Sequence, residues 1–115
     1  MEIPKPSDAD KERFRSLAPG DPRVEVKAMF GNLGAFVNGN MFMGLFGADI
    51  GVKLASADAD LLRSEEGSGP FGPADRPMGG YVTLPPALVG TAGGTTWVAK
   101  ALEYVASFPP KAPKK

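Results

Sequence analysis

An α+β fold, an antiparallel meander of four to five strands accompanied by helices, follows from three features of the sequence. Period-two alternation runs through the first half of the chain, and an Asn-Gly pair splits two apolar runs. Apolar residues at helical spacing recur at both ends and once between. The 115 residues suit one domain with its own core, expected over residues 1–108. Residues 109–115, rich in Pro and Lys, are expected to form a disordered tail.

The elements follow in order. Ser7 can cap a helix whose first turn holds Asp8 and Asp10, which suits the helix dipole. Phe14 and Leu17 give it one apolar edge, and Ala18-Pro19-Gly20-Asp21-Pro22 stops it. From Arg23 the period is two: Val24, Val26, Ala28 and Phe30 share one face of a half-buried strand, with Arg23, Glu25 and Lys27 on the other. Gly31-Asn32-Leu33-Gly34 is read as a turn.

Asn38-Gly39 lies between Ala35-Phe36-Val37 and Met41-Phe42-Met43, and a type I′ turn needs positive φ at both central residues. A tight hairpin is expected there. Its second arm, Met41 to Phe46, is apolar on both faces, as a central strand covered on two sides would be. After Gly47-Ala48-Asp49, the residues Ile50, Val52 and Leu54 alternate with Gly51 and Lys53 in a further strand.

Ser56 opens a second helix with Asp58 and Asp60 near its start, Leu61 and Leu62 inward, and Gly67 as its stop. Residues 67–80 form a loop rich in Gly and Pro, with Phe71 as its anchor. Tyr81-Val82-Thr83-Leu84 is a short strand ended by Pro85-Pro86. Gly93-Gly94-Thr95-Thr96 leads into the last helix. There Val98, Ala101, Leu102 and Val105 form one stripe, while Trp97, Ala101, Tyr104 and Phe108 form a second, so the apolar arc is wide.

Composition narrows the chemistry. The chain has no Cys and no His, which removes thiolate and imidazole catalysis, disulfides and Cys-ligated metals. No catalytic residue, metal site or cofactor is expected, and any metal would have only carboxylate ligands. Thirteen basic residues balance thirteen acidic ones, so no net field favours nucleic acid or an anionic membrane. The first residues lack the apolar core of a signal peptide, and no apolar run spans a membrane, so the cytoplasm is the expected compartment.

The order of motifs resembles the N-terminal domain of the TfoX competence regulators. The resemblance is carried by Lys27-Ala28-Met29-Phe30-Gly31 and Gly34-Ala35-Phe36-Val37-Asn38-Gly39-Asn40-Met41-Phe42. It continues through Ile50-Gly51-Val52-Lys53, Gly69-Pro70-Phe71, Arg76-Pro77-Met78, Tyr81-Val82-Thr83-Leu84-Pro85 and the Trp97/Ala101 pair, covering about Val24 to Leu102. Gly51 stands where that family usually has an aromatic residue. The resemblance implies helices packed mainly on one face of the sheet, similar to secretion-chaperone-like folds. It also implies a regulatory or protein-interaction role. The long competence regulators carry a second, helical domain after this one.

Several groups are candidates for function. Lys27, Lys53 and Arg76 are the cations within the family-like motifs; on an open sheet face they would hold an anionic ligand or an acidic segment, and otherwise they keep the surface soluble. Trp97, Tyr104 and Phe108 on the wide helical arc are the candidate interface with a protein partner or a second copy. The segment 90–96 could present backbone N–H groups to an anion or could be a Thr-capped loop. Asp58, Asp60, Glu65 and Glu66 read as helix-end acids rather than an acid/base pair, and Lys11, Arg13 and Arg15 as a solvated helix face. The leading expectation is a non-catalytic interaction domain. The alternative is a small anionic-ligand-binding domain with residues 67–80 as a lid.

Overall fold

The first helix, α1 (Asp8–Leu17), opens as the sequence predicts. Ser7 Oγ accepts from the Asp10 N–H at 3.0 Å while an Asp10 carboxylate oxygen accepts from the Ser7 N–H at 2.9 Å, closing a reciprocal capping box. The computed structural model describes residues 4–29, 31–73, 75 and 77–110. Phe30, Arg76 and residues 111–115 lie outside the described residues, and with them one candidate cation and most of the expected tail.

Among the described residues α1 is followed by β1 (Val24–Met29), β2 (Asn32–Val37), β3 (Asn40–Phe46), β4 (Asp49–Lys53), α2 (Ser56–Arg63), β5 (Gly69–Pro70), β6 (Tyr81–Thr83) and α3 (Ala92–Ala106). The strands form one antiparallel sheet in the order β1-β2-β3-β4-β6-β5, six strands where the sequence suggests four or five. The extra one is β5, two residues of the 67–80 loop. It is fastened to β6 by the Thr83 hydroxyl, which donates to Pro70 O at 2.8 Å. No apolar alternation could signal so short a strand.

The helices share one face. Phe14 of α1, Ala59 and Leu62 of α2, and Val98, Ala101, Leu102 and Val105 of α3 join Ala35, Val37, Met43, Ile50, Val52 and Val82 in a single core. A bulge in β3 adds to it: Ala35 pairs with Met43 and Phe36 with Met41, so Phe42 has no partner of its own, and both Phe42 and Met43 enter the core. Asn38 and Gly39 take positive φ (53° and 80°) in the tight turn, as the Asn-Gly pair requires.

Four local readings change. Asn32 begins a strand rather than sitting in a turn, because its buried amide ties two segments together. Its Oδ1 accepts from Gly47 N–H at 2.9 Å and its Nδ2 donates to Pro4 O at 3.1 Å. Leu61 points outward, 60 % exposed, because a helix only eight residues long turns one narrow edge, Ala59 and Leu62, to the core. That helix also ends at Arg63, four residues before Gly67. Glu65 N–H then donates to Leu62 O and Ser68 N–H to Glu65 O in two successive turns. Finally, α3 begins at Ala92, so Gly93 and Gly94 lie inside the helix. Thr91 caps it, accepting from Gly94 N–H at 3.2 Å, and a side chain at Gly94 would overlap the Leu88 carbonyl.

Candidate functional site

The face of the sheet turned away from the helices is floored by glycine. The strand registers line up Lys27, Gly34, Gly44, Gly51, Thr83 and Gly69, one from each strand, straight across the sheet. Three neighbouring positions without side chains leave a trough over β2, β3 and β4. Side chains from elsewhere lie down in it. A Cβ at Gly34 would meet Met41 Sδ and the Phe36 ring at 2.9 Å, and one at Gly51 would overlap the ring of Phe71.

Phe71 is the lynchpin of this face. It is 2 % exposed, although it belongs to the 67–80 loop, and it fulfils the anchor expected of it. Its ring stands edge-on to Phe46 (centroids 6.2 Å apart) and tilted against Tyr81 (6.1 Å). The ring therefore occupies the space that Gly51 leaves free of any side chain. Around this plug Phe36, Met41, Phe46 and Tyr81 remain half-buried, forming a band of aromatic and thioether surface along the sheet. The Tyr81 hydroxyl donates to Met41 O at 2.7 Å, and burial pushes its phenol up to about 12.

The two described candidate cations lie on this face but do not converge. Lys27 is on β1 and Lys53 on β4, with two strands between, so roughly 14 Å of sheet separates them at ordinary strand spacing. Each is already engaged. Lys27 Nζ lies 5.1 Å from the Phe36 centroid and 3.6 Å from a Glu25 carboxylate oxygen. Lys53 Nζ lies 5.0 Å from the Tyr81 centroid and 6.0 Å from that of Phe108. The third cation, Arg76, is outside the described residues.

Of the three candidate interface residues, Phe108 comes nearest to Lys53, its ring centroid 6.0 Å from Nζ, and like Trp97 and Tyr104 it packs against the core. Beyond α3, Asn40 Nδ2 donates to Pro109 O at 3.1 Å. Trp97 and Tyr104 stay on the helical side, half-buried and leaning on the core, and Tyr104 meets the Phe108 ring edge-on at 4.9 Å. The wide apolar arc of α3 packs its inner stripe on the core and leaves Trp97, Tyr104 and Phe108 half-buried.

The remaining candidates are accounted for locally. Asp58 lies 3.9 Å from Lys100 and Asp60 3.0 Å from Arg63, while Glu65 and Glu66 are exposed. Arg13 bonds Asp10 and donates to Ala48 O at 3.1 Å, pinning α1 to the β3–β4 turn. A cleft of about 570 Å³ opens between α1 and the start of α3, lined by Arg13, Leu17, Pro19, Val89 and Thr95. In segment 90–96 Thr91 caps the helix, and Thr95 N–H donates to Thr91 O. Among the described residues no group of three or more acidic side chains could hold a metal ion, and no helix is long and apolar enough to cross a membrane.

Sequence reasoning names Phe71, Lys27 and Lys53 but misses the band itself. Met41 and Phe46 read as part of a strand covered on both sides, and Phe36 only as part of the hairpin's first arm. Only the register shows that the cover on this side is one ring wide.

These features define a small α+β domain with a helix-covered face and a face paved with glycine, methionine and aromatic rings. A family model described as the TfoX N-terminal domain matches residues 14–105, and the chain belongs to that family. No curated protein and no solved structure matches it significantly.

Proposed function

We propose that the chain is a non-catalytic regulatory domain of the cytoplasm that acts by contact with a protein partner or with its own second copy. It needs no cofactor and does not bind nucleic acid directly. The observation that carries this reading is the half-exposed band of Phe36, Met41 and Phe46 on a sheet floor that the Phe71 plug holds in place. Aromatic and methionine side chains are enriched where proteins meet, and methionine adapts to partner surfaces. Membership of the TfoX N-terminal domain family supports a role in regulation. The engagement of Lys27 and Lys53 on rings weighs against an anionic small ligand on this face.

A photo-reactive amino acid placed at Phe36, with the exposed Leu61 on α2 as control position, tests the reading in living cells. Discrete cross-linked species are expected from position 36 and not from position 61. Equal or absent cross-linking at both positions would remove the sheet face as a contact surface.

A further inference from the structure

The two edges of the sheet are finished differently. One edge, β5, is two residues long and ends in Pro70, which cannot donate to a neighbouring strand. The other, β1, runs six residues with no proline among them. It was expected to be half-buried, yet Glu25, Val26, Lys27 and Ala28 are exposed, with Val26 at 38 %. No helix covers it.

Its free backbone groups can be assigned. The Val24 N–H donates to Asp21 O at 2.9 Å, not to β2, so Val24 has the phase that faces away from the sheet. Because backbone groups alternate in direction along an antiparallel strand, Val26 and Ala28 share that phase, while Glu25 and Lys27 bond to β2. The outward groups are thus the N–H of Val26 and Ala28 and the C=O of Val24, Val26 and Ala28.

We propose that β1 pairs antiparallel with β1 of a second copy about a twofold axis through Val26, joining two sheets into one. This rests on the reading of the domain as an interaction module and names its partner. In that register Val26 lies opposite Val26 of the second copy, and the two exchange both backbone bonds. The Ala28 N–H of each copy reaches the Val24 C=O of the other. The side chains then match in kind, the Lys27–Glu25 pair within each copy exchanging for pairs between copies. On the helix side Val24 meets Ala28 and Val26 meets itself, so the exposed apolar row is covered. On the glycine-floored side Glu25 of each copy lies opposite Lys27 of the other, twice. The run Glu25-Val26-Lys27 is self-complementary in charge about its own centre, as a closed twofold contact requires. A strand merely guarded against pairing would place like charges opposite one another in this register.

The test is the light-scattering mass of the full chain over a dilution series up to its solubility limit. The unaltered chain is expected to reach twice its 12.0 kDa. Val26→Pro removes an outward N–H that the monomer does not use, and should leave the 12.0 kDa species at every concentration. Glu25→Lys and Lys27→Glu each set like charges opposite one another and should also be monomeric. Mixing these two chains, or combining both changes in one chain, restores opposite charges and should restore the dimer. Circular dichroism of each variant checks that it is folded.

A chain that stays monomeric throughout overturns the pairing. So does a dimer indifferent to Val26→Pro and to both single reversals, which places the contact elsewhere. Position-specific cross-links at Phe36 from a monomeric chain would keep the interaction reading while removing the second copy as its partner.

Discussion

At the scale of single residues, Gly51 and Phe71 form a lock-and-key pair. The ring lies where a β4 side chain would be, so the two positions are coupled. Gly51→Ala should cost about 1–3 kcal/mol, since the added methyl meets a buried ring within a tight aromatic group. Phe71→Ala should cost about 3–5 kcal/mol as an emptied core site. In the double variant the cost of Gly51→Ala should largely vanish, because nothing remains for the methyl to strike. Urea unfolding of the four chains gives this coupling directly, and additive costs would show that the ring is free to move aside. Phe71 was recognisable in the sequence as the lone aromatic of a Gly/Pro-rich loop. Its target was not, because Gly51 sits twenty residues upstream and only the sheet register aligns it with Gly44 and Gly34.

At the scale of elements, the local signals that served best were those satisfied within a few residues. Ser7 and Asp10 close their box across three residues, and Asn38-Gly39 makes its turn in two. Removing the Ser7 cap with Ser7→Ala should cost about 1 kcal/mol, measured as a lower urea midpoint with unchanged slope. An unchanged midpoint would mean that α1 is held by Phe14 and the Arg13 bond to Ala48 O alone. The signals that failed were those whose partners lie far off. Asn32 looked like a turn residue because Gly and Asn cluster there. Its buried amide instead serves Gly47 and Pro4, fifteen and twenty-eight residues away. The glycines before α3 looked like a lead-in loop, yet they lie within the helix, capped at Thr91, and Gly94 has no room for a side chain beside the Leu88 carbonyl. In β1, period-two alternation correctly gave a strand, but alternation cannot tell a covered strand from an open edge.

At the scale of the whole molecule, three groups, Asp10, Asp21 and Tyr81, tie stability to pH. Hydrogen bonds from the backbone and side chain of Ser7 hold the Asp10 carboxyl below its ordinary 3.8. Its contribution is therefore full above that value and is lost as pH falls through the lowered folded-state one. Bonding to Arg23 lowers Asp21 in the same direction. Tyr81 behaves in the opposite sense: burial raises its phenol from 10.0 to about 12, so its contribution is full below 10.0 and is lost as pH rises from there toward 12. Thermal unfolding across pH should show a plateau between these limits and a fall on each side. Asp10→Asn should flatten the acid limb and Tyr81→Phe the alkaline one. Limbs unmoved by these changes would assign the pH response to other groups.

The α+β class, the strand meander, the Asn38-Gly39 turn, the capped first helix and membership of the TfoX N-terminal domain family were all legible in the linear chain. Each depends on spacing between near neighbours or on the order of motifs. The tertiary structure alone decided that Gly34, Gly44 and Gly51 form one trough, that Phe71 fills it, and that Lys53 reaches the Tyr81 and Phe108 rings. It also decided that β1 is an uncovered edge. Those facts depend on which strands lie side by side and in what register. Register is a property of pairs of distant segments, and no local periodicity carries it.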